Sequence, residues 1–306
     1  HTTLTYPANA IESRAEAQKI RKEVGMQKHK ISVNGFSLTA RTAGPEDARS
    51  LGIESWSLKT LGIPQKFSEE EFASPFITGL REAFRSVGAH RAFAPHVAPA
   101  SARIVDSCVL TERIYLGGGV SIRRNNAVPA DGIILERGRA FAMSGAGCPV
   151  IVASDGYNVI VAHAGRDSLV DRGAVEGKPT REHLSVVNAI VGTFVDRGSI
   201  ANGIEMCMLF SIPSGMFKHS FDHEVYGNYN RAFAMFVSKK WGNGVTKSSE
   251  SSFFLDLECL FEEQAFQAGV RDAWSMYSIG EFKELAHTHD GKNSERRNLV
   301  VIKRDH

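Results

Sequence analysis

The sequence predicts an α/β fold of the sandwich kind, with mixed β-sheets flanked by helices and a single main domain. Three observations carry this. Short apolar runs rich in Val and Ile recur along the chain and are bounded by Gly, Pro or Asp. Stretches of helical period lie between them, the clearest after residue 180 and after residue 254. No internal repeat or convincing linker divides the 306 residues, a length that one α/β domain with insertions accommodates. Residues 1–30 are set apart as an N-terminal helical extension, and residues 31–306 form the domain that carries the chemistry.

Composition narrows the class of function. An apolar content of 42%, a charged content of 23% and a net charge of +2 are ordinary for a globular protein and argue against a nucleic-acid partner. No apolar run is long enough for a membrane span. The first residue is His1 and no signal-peptide core follows it, so the chain reads as an excised fragment. Four cysteines do not make a disulfide framework at this length. Cys108, Cys207 and Cys259 sit among apolar neighbours as core thiols, whereas Cys148 is surrounded by small residues.

In chain order, 10–29 is rich in Ala, Glu, Lys and Arg, the pattern of a solvated helix. Ile31 to Thr39 alternates like a strand and leads into a loop bearing Arg41, a residue that is either solvated or holds an anion. Residues 45–100 read as helices and irregular segments, with Ser68 as a helix start and His90 and His96 in an Ala-rich, Pro-punctuated stretch. Arg113 to Leu116 is a strand ending in Gly117-Gly118-Gly119, where backbone could approach a ligand or another chain. Gly132 to Glu136 and Arg139 to Met143 are further strands. A helix is expected from Thr180 to about Val195 and a buried strand from Met206 to Ile212. His219 and His223 would share a face if 217–225 were helical, a pair more often surface decoration than a metal site. An amphipathic helix is expected from Phe254 to Gln267, then a polar loop around His287 and His289, then a last strand from Asn298.

The chemistry concentrates between Ser144 and Leu169. Val150 to Ala153 and Val159 to Ala162 are β-branched runs separated by an Asp155-Gly156 turn signal, which predicts a hairpin. Cys148 enters the first strand and His163 leaves the second, so the turn would bring a thiol and an imidazole together across fifteen residues of sequence. Such a pair either activates a thiolate nucleophile or ligates zinc. Ser144, Gly145 and Gly147 leave the sulfur approachable and offer free backbone N–H groups, the ingredients of an oxyanion hole; a plain Gly-rich turn into a buried strand accounts for them equally well.

Cys148-Pro-Val with His163-Ala-Gly-Arg166 resembles the signature of the laccase-domain, or peptidoglycan-editing-factor, superfamily. Phe36 to Gly44, with Arg41 on the family's arginine, Ala130-Asp131, Leu255-Asp-Leu to Val270 and the closing Arg-Arg-Asn-Leu-Val-Val-Ile stretch extend the likeness. A second likeness is to the catalytic domain of cytotoxic necrotizing factors and dermonecrotic toxins. It rests on Ser144-Gly145, Cys148, Ile151-Val-Ala153, Gly156-Tyr157, His163, Gly165 and Ser168-Leu169, and its Cys-to-His spacing fits without a gap, although Ala146-Gly147 is inserted.

The two likenesses imply different reactions. The toxin likeness implies a glutamine deamidase or transglutaminase acting on a Rho-type small GTPase in the cytosol, as a fragment of a secreted bacterial toxin. It has no cofactor, Cys148 as nucleophile, His163 as base and acid, backbone N–H groups around Gly145 to Cys148 or a carbonyl near Tyr115 completing the site, and Arg41, Ser144, Gly145, Gly147 and Arg166 at the substrate. The laccase-domain likeness implies a zinc-dependent purine nucleoside phosphorylase or adenosine deaminase. Its third zinc-binding His is expected where Gly117-Gly118-Gly119 stand, so the set would need Cys148, His163 and His96. A catalytically inactive binding module is the third expectation.

Overall fold

The computed structural model of the chain describes residues 28–34, 36–43, 81, 84–85, 88–97, 100–145, 147–276 and 298–305. The helix expected over 10–29 lies outside these residues as far as 27, as do the Ser68 helix start and the loop around His287. Lys28 to Lys30, assigned to the extension, already belong to a strand.

The stretch read as one strand is two. β1 (Lys28–Val33) and β2 (Phe36–Ala43) form an antiparallel hairpin. Asn34 turns the chain at φ 48°, a left-handed conformation that Asn tolerates better than most residues. Its side-chain amide donates to the carbonyls of Ser154 and Gly203, and its backbone N–H to Glu205. The hairpin tip is thereby pinned onto the second sheet.

Next come β3 (Arg91–Phe93), β4 (Ile104–Asp106), β5 (Glu112–Gly117), β6 (Val120–Arg124), β7 (Gly132–Ile134) and β8 (Ala140–Gly145). The expected hairpin follows as β9 (Val150–Ser154) and β10 (Val159–His163). Its four-residue turn is closed by Asp155, whose Oδ1 accepts the N–H groups of Tyr157 and Asn158 at 2.9 and 2.6 Å.

Two short helices, α1 (Arg166–Leu169) and α2 (Arg172–Glu176), precede α3 (Val186–Val195). α3 starts six residues later than the expected Thr180, because Ser185 caps it by accepting the Asn188 N–H. The chain continues through β11 (Glu205–Leu209), β12 (Lys218–Ser220), α4 (Gly227–Trp241), β13 (Thr246–Ser248) and β14 (Ser252–Leu255). α5 (Leu257–Gln267), β15 (Asp272–Met276) and β16 (Asn298–Arg304) close it. The helix expected from Phe254 thus begins at Leu257. Phe253 and Phe254 pair with β12 and β13, and Asp256 then caps the helix through the Cys259 N–H.

A seven-stranded sheet runs β1-β2-β16-β8-β3-β6-β5, a six-stranded one β15-β11-β9-β10-β7-β4, and a small one β12-β14-β13. Parallel and antiparallel pairs are mixed in both large sheets, as the sequence predicts.

β9 and β10 are buried at every position, which explains their unbroken apolar runs. Their alternate residues face two cores. Val150, Val152, Val159 and Val161 pack with Phe141, Met143, Val300 and Ile302 between the large sheets. Ile151, Ala153, Ile160 and Ala162 pack with residues of α3, α4 and α5. The result is a sheet–sheet–helix sandwich.

Cys207 lies in the first of these cores and burial pushes its thiol up. Cys108, expected in a core, is exposed. Phe194 of α3 is fully buried in the second core. Phe194→Ala is expected to cost about 3–5 kcal/mol in urea unfolding while leaving Cys148 chemistry unchanged.

Candidate active site

Three adjacent strands deliver three chemically active side chains to one end of the six-stranded sheet. β10 pairs with β9 so that His163 lies opposite Val150, and the pairing continues as the Ala164 N–H bonds the Pro149 carbonyl at 2.9 Å. Cys148, one residue further, therefore stands beside Gly165. On the other flank β10 pairs with β7, and the His163 N–H donates to the Asp131 carbonyl at 2.8 Å. Gly132 allows this close approach, since a Cβ there would lie 2.5 Å from that of Ala162 and 2.7 Å from Ile104 Cδ1.

The side chains follow the backbone. His163 is 8% exposed and Asp131 is fully buried. The imidazole Nδ1 donates to Asp131 Oδ1 at 3.0 Å. A Cβ built on Gly165 would lie 2.8 Å from His163 Nε2 and 3.3 Å from Cys148 Sγ. Nε2 and the sulfur therefore face the same small space, kept open because residue 165 has no side chain. The order Cys148–His163–Asp131 is that of a nucleophile, its base and the group that orients the base.

The Asp131 carboxylate is fully supplied with donors. Oδ2 accepts the N–H groups of Ser101 and Ala102 at 2.8 and 2.6 Å. Oδ1 accepts the Ser168 hydroxyl at 2.7 Å as well as His163. A buried carboxylate is tolerable only with this kind of satisfaction. Burial works against a charged imidazole at His163, but Asp131 and then Cys148 outweigh it and raise the residue from 6.5 to about 10.

The other residues singled out from the sequence are only partly gathered here. Ser144 and Gly145 end β8, opposite Leu299 and Asn298 of β16, and Gly147 is buried with φ 102° immediately before the sulfur. Arg41 pairs with Val301 on β16, two strands from β8.

Tyr115 is not brought to the dyad. It lies on the edge strand β5, three strands or about 14 Å from β8 at the usual spacing, with its ring 57% exposed and the Arg113 guanidinium over it. Gly117 to Gly119 form the β5–β6 turn at that same edge. A His at those positions could not have joined the dyad, so the inference drawn from its absence falls.

Arg166 does not reach toward the sulfur space. Its guanidinium bonds Asp167, His219 and Asn230 and packs over Tyr229 and Phe233, a structural clamp on α4. His219 lies on β12 and His223 in the following turn, so the helical His pair does not form.

His96 is half-buried and forms a bridge with Pro129, its carbonyl accepting the Ala130 N–H at 2.9 Å. That puts its backbone beside the residues leading to Asp131. Even so, among the described residues no three His, Cys, Asp or Glu side chains are grouped so as to hold a metal ion. With Nδ1 engaged by Asp131, the ring presents Nε2 to the same space as the Cys148 sulfur, so the pair offers two donors there.

Asp131 and Ser168 are the hydrogen-bond partners of His163 that sequence reasoning missed. Both occur in the quoted motifs, but without a role. The available signal was a carboxylate at the mouth of an apolar strand, where a buried charge demands a partner.

Two outcomes test this geometry. Because His163 is raised to about 10, the stabilisation it brings is fully present below pH 6.5 and is lost as pH climbs to about 10. Asp131→Asn should accordingly destabilise the protein more at pH ~6 than at pH ~10 in urea titrations; an equal loss at both would contradict the pairing. Gly165→Ala should slow iodoacetamide alkylation of Cys148 by ~10-fold or more, because its methyl would enter the space between Sγ and Nε2.

No family model and no curated protein sequence matches the chain. Solved structures do. A Bacillus licheniformis hypothetical protein, YfiH, superposes with a TM-score of 0.59 at 14% identity over 89% of this chain and 94% of that one. YlmD from Geobacillus stearothermophilus gives 0.56 at 17% identity, covering 89% and 92%. A Neisseria meningitidis protein of the DUF152 family gives 0.53 at 15%, covering 88% and 95%. At such identities the likeness speaks for architecture alone, and the chain has the fold of the laccase-domain, or peptidoglycan-editing-factor, proteins.

Proposed function

We propose that the protein is a thiol-dependent amidohydrolase that deamidates or transamidates the side chain of a protein glutamine. The observation that carries this reading is the alignment of Cys148 Sγ with His163 Nε2 across the Gly165 space, while Nδ1 is fixed by buried Asp131. The Cys-to-His spacing, which resembles that of the necrotizing-toxin catalytic domains, is what supports a Rho-type small GTPase as acceptor in this reading.

The chemistry follows from the pair. A His163 held charged to about pH 10 is the partner that a thiolate nucleophile uses. Sulfur attacks the carboxamide carbon and forms a C–S bond as the carbonyl π pair moves onto oxygen. Collapse of that intermediate breaks the C–N bond, and the His163 Nε2 proton passes to nitrogen, releasing ammonia and leaving a thioester. Water, or an amine in transamidation, then gives a proton to His163 and attacks the same carbon, and the thiolate leaves. Backbone N–H groups near Gly147 and Cys148 would serve as donors for the oxyanion. Asp131 accepts the Nδ1 hydrogen and so turns Nε2 toward the sulfur.

A second reading, zinc-dependent purine nucleoside chemistry, is favoured by the shared fold and by the His96 backbone lying beside Ala130. Metal content and activity separate the two. The thiol reading expects metal-free protein that converts glutamine to glutamate in a small GTPase, with Cys148→Ser lowering the rate by ~10³-fold or more. Stoichiometric zinc, with adenosine or inosine turnover abolished by a chelator, would sink it.

A further inference from the structure

Arg181 has no place in any motif of the sequence, yet its guanidinium is the most fully used polar group near the site. Nε donates to the His183 carbonyl at 2.8 Å. Nη1 donates to the carbonyls of Ala100 and Asp167 at 3.1 and 2.7 Å. Nη2 donates to those of Ser168 and Leu184 at 2.8 and 3.1 Å. A guanidinium has five N–H donors, and here all five end on backbone carbonyls drawn from three separate segments.

Two of those segments are the ones that grip Asp131. The Ala100 carbonyl immediately precedes the Ser101 and Ala102 N–H groups that bind Oδ2. The Ser168 carbonyl belongs to the residue whose hydroxyl binds Oδ1 and also lies 3.0 Å from His163 Nδ1. Arg181 therefore fastens both halves of the carboxylate's cradle from behind without touching the carboxylate.

The cradle also contains backbone strain. Ala102 sits at φ 46°, a left-handed conformation that costs a non-glycine residue free energy and persists only when its surroundings enforce it. Two contacts enforce it, the Ala102 N–H bond to Asp131 and the Arg181 bond to the carbonyl two residues earlier.

We propose that Arg181 is a positioning residue for the Cys148–His163 pair, acting through Asp131 by locking the Ser101–Ala102 and Ser168 donors onto its two oxygens. The proposal rests on the thiol reading above. A lysine could keep the charge but not the planar five-donor fork, so geometry and charge can be separated.

The test is a double-mutant cycle of Arg181→Lys with Asp131→Asn, read by the iodoacetamide alkylation rate of Cys148 and by the proton NMR signal of the His163 Nδ1–H. Arg181→Lys is expected to stay folded by circular dichroism, to slow alkylation by ~10-fold, and to shift or broaden the Nδ1–H resonance. In the Asp131→Asn background it should add less than about twofold, since both changes act through one group. Equal effects of Arg181→Lys in both backgrounds would overturn the proposal. So would a lowered melting temperature with alkylation and resonance unchanged, which would make the residue a fold determinant only. Should Arg181→Lys fail to fold, Arg181→Gln goes through the same cycle, and collapse of both overturns it as well. Neither readout uses substrate, so coupling of Arg181 to Cys148 without any deamidation would remove the proposed function and leave this inference standing.

Discussion

A fully buried carboxylate sets the terms for everything around it. Asp131 has no contact with water, and stranding its charge would cost several kcal/mol. Four donors from three segments converge on it: Ser101 and Ala102 before β4, His163 at the end of β10, and Ser168 in α1. Each donor is fixed by its own strand, turn or helix. The carboxylate is thus both a cost and an organiser, because the fold that satisfies it also fixes the direction of the imidazole.

The direction matters because His163 faces two ways. Nδ1 is committed to Asp131, so Nε2 is what the ring offers to Cys148, and the same carboxylate holds the ring charged against the effect of burial. The neighbouring glycine keeps the space between Nε2 and sulfur clear. Asp131 thus supplies position and charge, and Gly165 supplies access. The layered core serves this arrangement: β9 and β10 are covered on both faces, so their ends are carried on the most constrained strands of the sandwich.

The residues that sequence reasoning misplaced share a cause. Tyr115 and the three glycines after it were read as close to the dyad, but strand order puts them at the opposite edge of the other sheet. Arg166 follows the motif His yet turns back onto α4. The helix expected from Phe254 yields to strand pairing before Asp256, where cross-strand partners on β12 and β13 override local helical period. In each case a residue's neighbours across space, rather than along the chain, decided its state.

What the sequence by itself determined is local. The apolar runs around a turn signal specify the β9–β10 hairpin, and a hairpin of that length brings Cys148 and His163 together without further information. The alternation of such runs with helical stretches likewise specifies a mixed α/β sandwich. Only the tertiary structure decided that β7 lies beside β10, and with it that Asp131 backs His163, that Ser168 closes the cradle, and that Arg181 braces it. Those partners come from segments up to 81 residues apart in the chain. Spacing along the sequence carries no trace of them, because strand order is set by which faces must be buried together, a property of the whole chain.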